Sequence, residues 1–259
     1  SVLAKLVKDG GARTLAVLHE EGDYGKEVAA AVGGAAKQSG LEVVADSTFT
    51  PGQAQEAAAA AKAANPDAVV LVSRDGAQGA IAELNNAGLA GKKLVLSDGA
   101  VNTYGSGLGA RALEGARGIL PGVFPSATFQ TDLVAVDPGL KDMVFAAETY
   151  DAVVLAAVAA AAAEDDAGTS IAASLVAVSG GTAAGGQPAD QRPSESCTSY
   201  KACADVLRAG KRPDFDGQSG RINFDSHGDI TEANYMVYTY GGDNLPTVSG
   251  TEAASSSGG

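Results

Sequence analysis

Short apolar runs alternate with longer Ala-rich stretches along the first half of the chain. TLAVLHE (14–20), LEVVADSTF (41–49), AVVLVS (68–73) and KLVLSD (93–98) are rich in Val and Leu and have the length of buried strands. The stretches 24–38, 52–64 and 75–88 lie between them, each long enough for a crossover helix. An amphipathic helix over 1–9 precedes them, and ARGILPG (116–122) predicts a fifth strand. This alternation predicts an α/β fold built on a doubly wound parallel sheet, which binds ligands outside the carboxyl ends of its strands. The residues that collect at that edge are Glu20 to Tyr24, Ser73 to Asp75 and Asp98 to Asn102.

The pattern then breaks. Residues 121–141 hold three prolines and no sustained period, as expected of a connection leaving one lobe for another. Three helices are predicted in succession, over 142–163, 169–179 and 198–209, with an exposed Gly- and Pro-rich loop over 179–196. The helix over 142–163 is apolar around nearly its whole circumference and so requires burial on several sides. Only GRINFD (220–225) and ANYMVYTY (233–240) offer strand in this half, so its sheet reads as incomplete. The expected organisation is a complete lobe over 1–122, joined by the last strand (232–241), and a partial, mostly helical lobe over 123–231. A disordered tail is expected over 245–259, from its Ser, Gly and Ala content.

Composition narrows the function classes. With 18 basic and 31 acidic residues the net charge is −13, and no basic cluster interrupts the acidity. Neutralising a polyanion needs Lys and Arg in number, so nucleic acid is not expected as a partner. The longest apolar run, Ala152–Ala163, is shorter than the roughly 20 residues that span a bilayer. SVLAKLVKDGG lacks the apolar region of a signal peptide, so any targeting segment is expected to be removed or to lie upstream.

Cys197 and Cys203 are the only cysteines. Within one helix they would stand too far apart to bridge, but Cys197 precedes a plausible N-cap, Thr198, and can swing back. A local disulfide is expected, because lone, closely spaced pairs are typical of exported proteins; two separate buried thiols are the alternative.

Taken in order, several landmarks resemble the periplasmic-binding-protein type I superfamily, and within it the branched-chain amino-acid-type (Leu/Ile/Val-binding-like) substrate-binding proteins of ABC transporters. They are VLHEEGDYGKE (17–27), NPDAVVLVS (65–73) with NNAG (85–88), KKLVLSDGA (92–100), LEGARGILPG (113–122), ETYDAVVLAAVA (148–159) and GQSGRINFDSHGDITEANYMVYTY (217–240). The cysteine pair ahead of GQSG resembles exported members of that family, which supports the disulfide and an oxidising compartment. Similarity extends over about residues 1–244. The resemblance implies a two-lobed fold with one lobe complete and the other lacking its usual N-terminal half. We expect the chain to be a fragment of a longer protein, in preference to a truncated relative whose open face another chain covers. The chain is expected to cross between lobes near 119–124 and near 229–234.

In that family a solute lies between two lobes. The resemblance places Tyr24, Ser73, Arg74, Asp98 and Asn102 at the ligand. Tyr24 can stack on a ligand or donate to its carboxylate, and packing at a helix start is the structural alternative. Ser73 stands where relatives often carry an aromatic ring, leaving room for a different solute. Arg74 can clamp a carboxylate or serve as a solvated cap. Asp98 matches the acidic residue that meets a ligand's ammonium group; an Asx turn with Gly99 is the alternative.

No catalytic chemistry accompanies these residues. GSGLGA (105–110) is separated from its strand by several residues, unlike a dinucleotide loop, and no GxxxxGK[ST] or GxSxG string occurs. His19 and His227 lack metal-ligand spacing, and DFDGQSGRINFD (214–225) reads as a turn leading to a hairpin rather than a calcium loop. The expectation is therefore a non-enzymatic extracytoplasmic solute-binding protein, periplasmic or anchored as a lipoprotein. It needs no cofactor or metal, captures an amino acid or similar small polar solute and delivers it to an ABC permease. A ligand-sensing receptor domain of the same fold is the alternative.

Overall fold

The computed structural model describes residues 2–181 and 192–255. The chain divides into two compact units, residues 1–121 with 235–252, and residues 122–234 with 253–259.

The first unit opens with helix α1 (Val2–Asp9) and continues as β1 (Thr14–Glu20), α2 (Asp23–Gln38), β2 (Glu42–Phe49), α3 (Gln55–Ala64), β3 (Ala68–Val72), α4 (Ala77–Ala87), β4 (Leu94–Leu96) and β5 (Arg117–Pro121). These five strands are parallel and lie in the order β2-β1-β3-β4-β5. Central β3 is buried at every position, as a strand covered on both faces must be, whereas edge strand β2 is largely exposed. Leu18, Val69, Leu71, Ile81, Leu84, Leu94, Leu96 and Leu113 form the core between sheet and helices. From β1 the chain runs to β2 on one side and then to β3 on the other. The order therefore reverses beside β1, and the crevice where an α/β sheet takes its ligands opens between the carboxyl ends of β1 and β3.

The strand over 94–96 is shorter than KLVLSD suggests, because Asp98–Ala100 turns into a single 3-10 turn. The strand expected over 232–241 is β8 of the whole chain (Glu232–Tyr240), antiparallel to β5, and the boundary between units falls within it. Of the disordered tail expected over 245–259, residues 246–255 form β9 (Pro246–Ser255) beside β8, and residues 256–259 lie outside the described residues. The correction has a physical reason: Asn244, buried at 2% exposure, closes the turn, its side chain accepting from Leu113 N and donating to the Gly105 and Gly109 carbonyls. Ser249 then bonds Thr239 and the Val237 carbonyl. The same Asn244 clamp accounts for GSGLGA as a structural loop.

The second unit contains α5 (Ala127–Val136), α6 (Ala146–Ala163), α7 (Gly168–Val178), β6 (Ser194–Cys197), α8 (Tyr200–Arg208) and β7 (Arg212–Phe215). Helix α5 lies inside the segment read as a proline-rich connection; Ser126 caps it by accepting from Phe129 N at 3.3 Å. The parallel pair β6–β7 is absent from the sequence reading because each strand has only four residues. GRINFD is not a strand: Gly217–Gly220 and Phe224–Ile230 make isolated bridges, and the Asp225 carboxylate accepts from His227 N and Asp229 N in a turn. Of the loop expected over 179–196, residues 182–191 lie outside the described residues.

Cys197 and Cys203 form a disulfide with Cα atoms 5.2 Å apart. Ser199, not Thr198, caps α8, accepting from Ala202 N. Cys197 remains on β6, and the bond staples β6 to α8. Helix α6, at 18 residues and a mean hydropathy of 1.4, is long and apolar enough to cross a membrane, which the run Ala152–Ala163 understates. It is not buried on several sides as its sequence requires: 33% of it is buried, along one face, and Val153 on another is 67% exposed. Val154, Leu155, Val158 and Ala159 pack against Val178, Cys203, Val206 and Phe215. Buried Asp151 accepts from Gln218 N, Ser219 N and the Ser219 hydroxyl.

Candidate functional site

Four of the five predicted ligand residues meet at the carboxyl edge of β1, β3 and β4. Tyr24 stands at the first turn of α2, half-buried. Its hydroxyl lies 2.6 Å from Asp98 Oδ1 and 3.0 Å from Ser97 Oγ, and it accepts from Gly99 N at 3.2 Å. A phenol has one hydrogen, and the short contact assigns it to Asp98; Ser97 then donates its own. Ser97 Oγ in turn lies 3.3 Å from Ser73 N, from which it accepts. The result is a directed chain from Ser73 N–H through Ser97 and Tyr24 to the Asp98 carboxylate. Burial and the adjacent Asp98 raise the Tyr24 pKa above 10.0, partly offset by Ser97 and Gly99, so the phenol stays a donor.

The Arg74 guanidinium stacks on the Tyr24 ring, with Cζ 4.0 Å from the ring centroid. Arg74 is exposed, and no carboxylate among the described residues lies within 4.0 Å of its nitrogens. One tyrosine ring thus presents a cation on its face and an anion at its hydroxyl. Close approach is obligatory here: a Cβ on Gly99 would come within 2.6 Å of Arg74 Cγ and of the Ser73 carbonyl oxygen.

Ser73 takes a different place from the one expected. It is fully buried, and its hydroxyl donates to Glu20 Oε2 at 2.5 Å, facing the protein. The strand pattern puts Ser73 at the ligand edge but does not say which way its side chain turns. Glu20 Oε2 also accepts from Arg74 N at 2.8 Å and Gly76 N at 3.0 Å. Burial opposes the charge on Glu20, but these donors, with Asp75 N–H, outweigh it and hold its pKa below 4.5.

Asn102 stands apart. Its backbone N–H and carbonyl are both bonded to the Tyr240 hydroxyl, and its side-chain oxygen accepts from Thr103 N. No hydrogen bond joins it to the other four. Ser97 and Tyr235 are members the sequence reading missed; burial and the Asp98 charge raise the Tyr235 phenol above 10.0. Ser97 is signalled only by its place between β4 and Asp98. No group of three or more His, Cys, Asp or Glu among the described residues could hold a metal ion.

The chain matches the receptor family ligand binding region over residues 1–243. It belongs to this family, the periplasmic binding protein type I family. Family members and the structural neighbours are solute-binding and receptor proteins, not enzymes. The leucine binding protein LivK of Thermotoga maritima superposes with a TM-score of 0.67 at 18% identity, covering 96% of this chain and 63% of its own. The branched-chain amino acid substrate binding protein LivJ of Streptococcus pneumoniae, solved with isoleucine, gives 0.60 at 19% identity, covering 98% and 63%. A solute binding protein of an ABC transporter from R. palustris, solved with benzoate, gives 0.62 at 17% identity, again covering 98% and 63%. This family member therefore spans about 63% of the length of these relatives. No curated protein matches it.

Proposed function

We propose that this chain is the ligand-capturing part of an extracytoplasmic solute-binding protein that serves an ABC importer, and that its solute is an amino acid or a closely related small polar molecule. The observation that carries this reading is the Asp98 carboxylate, held at the sheet's ligand edge by the Tyr24 hydroxyl, with the Arg74 cation, unpaired among the described residues, over the same ring. An ammonium group fits Asp98 and a carboxylate fits Arg74. Relatives solved with isoleucine and with benzoate span the two candidate classes. An aromatic acid brings no cation for Asp98, so the charge pattern supports the amino acid. Such a protein works outside the cytoplasm and passes its solute to a membrane permease.

Calorimetric titration with L-leucine, L-isoleucine, L-glutamate and benzoate tests the reading. Asp98→Ala and Asp98→Asn are expected to weaken amino-acid binding by about 2–5 kcal/mol, the usual cost of truncating one partner of a hydrogen-bonded charge pair. Unchanged affinity in both variants removes Asp98 from the site. Tight binding of benzoate alone overturns the amino-acid assignment.

A ligand-sensing receptor domain is the second reading, favoured by the receptor description of the family. A chain that binds an amino acid but does not support its ATP-driven uptake through a permease would favour the sensor.

A further inference from the structure

The Arg74 posture is not explained by Arg74 itself. Cation–ring attraction at an exposed site is only about 0.5–1 kcal/mol, too little by itself to hold a long arginine in one posture, and here the backbone is fixed from below. Glu20, at the end of β1, is 9% exposed and sends its carboxylate under the segment Ser73–Gly76. There Oε2 gathers the Ser73 hydroxyl, Arg74 N–H and Gly76 N–H. The other partner of the stack is set by the same residue. A Cβ on Gly25 would stand 1.8 Å from the Glu20 carbonyl oxygen, so the first turn of α2, which carries Tyr24, rests directly on the Glu20 backbone. Gly76 is equally confined, with a Cβ there 2.9 Å from the Phe49 ring and 3.4 Å from Glu20 Oε2.

Glu20 thus touches both halves of the cation–ring pair without belonging to it. A buried carboxylate with three converging donors is costly to assemble, and among the described residues it serves no ion pair. We infer that Glu20 is a positioning residue: by tying the Ser73–Gly76 turn to the end of β1 it holds the Arg74 guanidinium over Tyr24, and the stacked cation makes this edge select solutes that carry a carboxylate as well as an ammonium group. The selectivity half of this inference rests on the amino-acid reading above. The geometric half does not.

The test uses the full chain with ¹³C-labelled arginine, followed by NMR. Protons of Arg74 beneath the Tyr24 ring carry a ring-current shift, and Tyr24→Leu, which removes the ring, sets its zero. In Glu20→Leu, which removes the acceptor at similar volume, the Arg74 signals are expected to move most of the way to the Tyr24→Leu position while the amide signals of β1 and β3 stay in place. A folded Glu20→Leu protein that keeps the wild-type Arg74 shift overturns the inference. Should Glu20→Leu fail to fold, Ser73→Ala removes one of the three donors and keeps the carboxylate; a partial loss of the shift supports the tie and no loss overturns it.

No ligand enters this readout, so a chain that binds none of the amino acids leaves the geometric result standing. Where L-leucine does bind, Glu20→Leu is expected to weaken it about 10-fold while leaving isoamylamine, which lacks the carboxylate, unchanged. Equal weakening of both overturns the selectivity.

Discussion

Tyr24 joins the two charges of the candidate site, and Glu20 is what keeps it and Arg74 in register. Because Glu20 titrates below 4.5 in the folded chain, its contribution to stability has a definite sign. A carboxylate whose folded pKa is depressed stabilises fully above the unfolded value and loses that contribution as pH falls through the folded one. Urea unfolding of the wild type should therefore show a fall in midpoint as pH drops below about 4.5, and Glu20→Gln should be less stable at neutral pH but flatter across that window. Parallel curves for the two proteins would show that the Glu20 charge is not what the turn relies on. The comparison belongs to this residue because its proton uptake is opposed by named donors, Ser73, Arg74, Gly76 and Asp75.

Helix α2 shows how an element's position overrides its propensity. Gly25 and Gly34 lie in the same helix, and alanine in a helix ordinarily stabilises by about 1 kcal/mol over glycine. At Gly34 nothing lies within 4 Å of an added Cβ, so Gly34→Ala should raise the urea midpoint. At Gly25 the Cβ would meet the Glu20 carbonyl at 1.8 Å, so Gly25→Ala should lower it and carry Tyr24 away from Asp98. Equal shifts in the two variants would show that α2 can lift off β1. The strand and helix pattern of this half is plain in the sequence because each strand is a buried apolar run, and strand ends in such a sheet mark the ligand edge. That logic locates Tyr24, Arg74 and Asp98. It cannot choose the side-chain direction that turns Ser73 to Glu20, nor foresee that Tyr240 occupies the backbone of Asn102. Strands β6 and β7 escape for another reason: four residues containing Pro213 or a run of Ser and Glu carry no strand period. Strand β9 escapes because its pairing depends on a turn closed from 131 residues away, by Leu113 N–H on Asn244.

At the scale of the whole chain the two units are held together internally by different means. The first has a seven-stranded sheet with Leu15, Leu18, Leu71 and Leu96 fully buried. The second has helices around a two-stranded sheet, leaves Val136 88% and Val153 67% exposed, and gains the Cys197–Cys203 staple. A short-loop disulfide of this kind contributes about 2 kcal/mol by restricting the unfolded chain. Where units have separate cores, a change in one should reach only its own amides. In the double variant Cys197→Ser, Cys203→Ser, hydrogen exchange should accelerate in α6, α8 and β7, which pack around the staple. The amides of β1 and β3, and those of Arg74 and Gly99 at the candidate site, should exchange at the wild-type rate. Loss of protection in β3 as well would mean that the two units unfold as one, and the ligand edge would then depend on a bond it never touches. Retained protection would establish that the edge bearing Tyr24, Arg74 and Asp98 is assembled by the first unit alone.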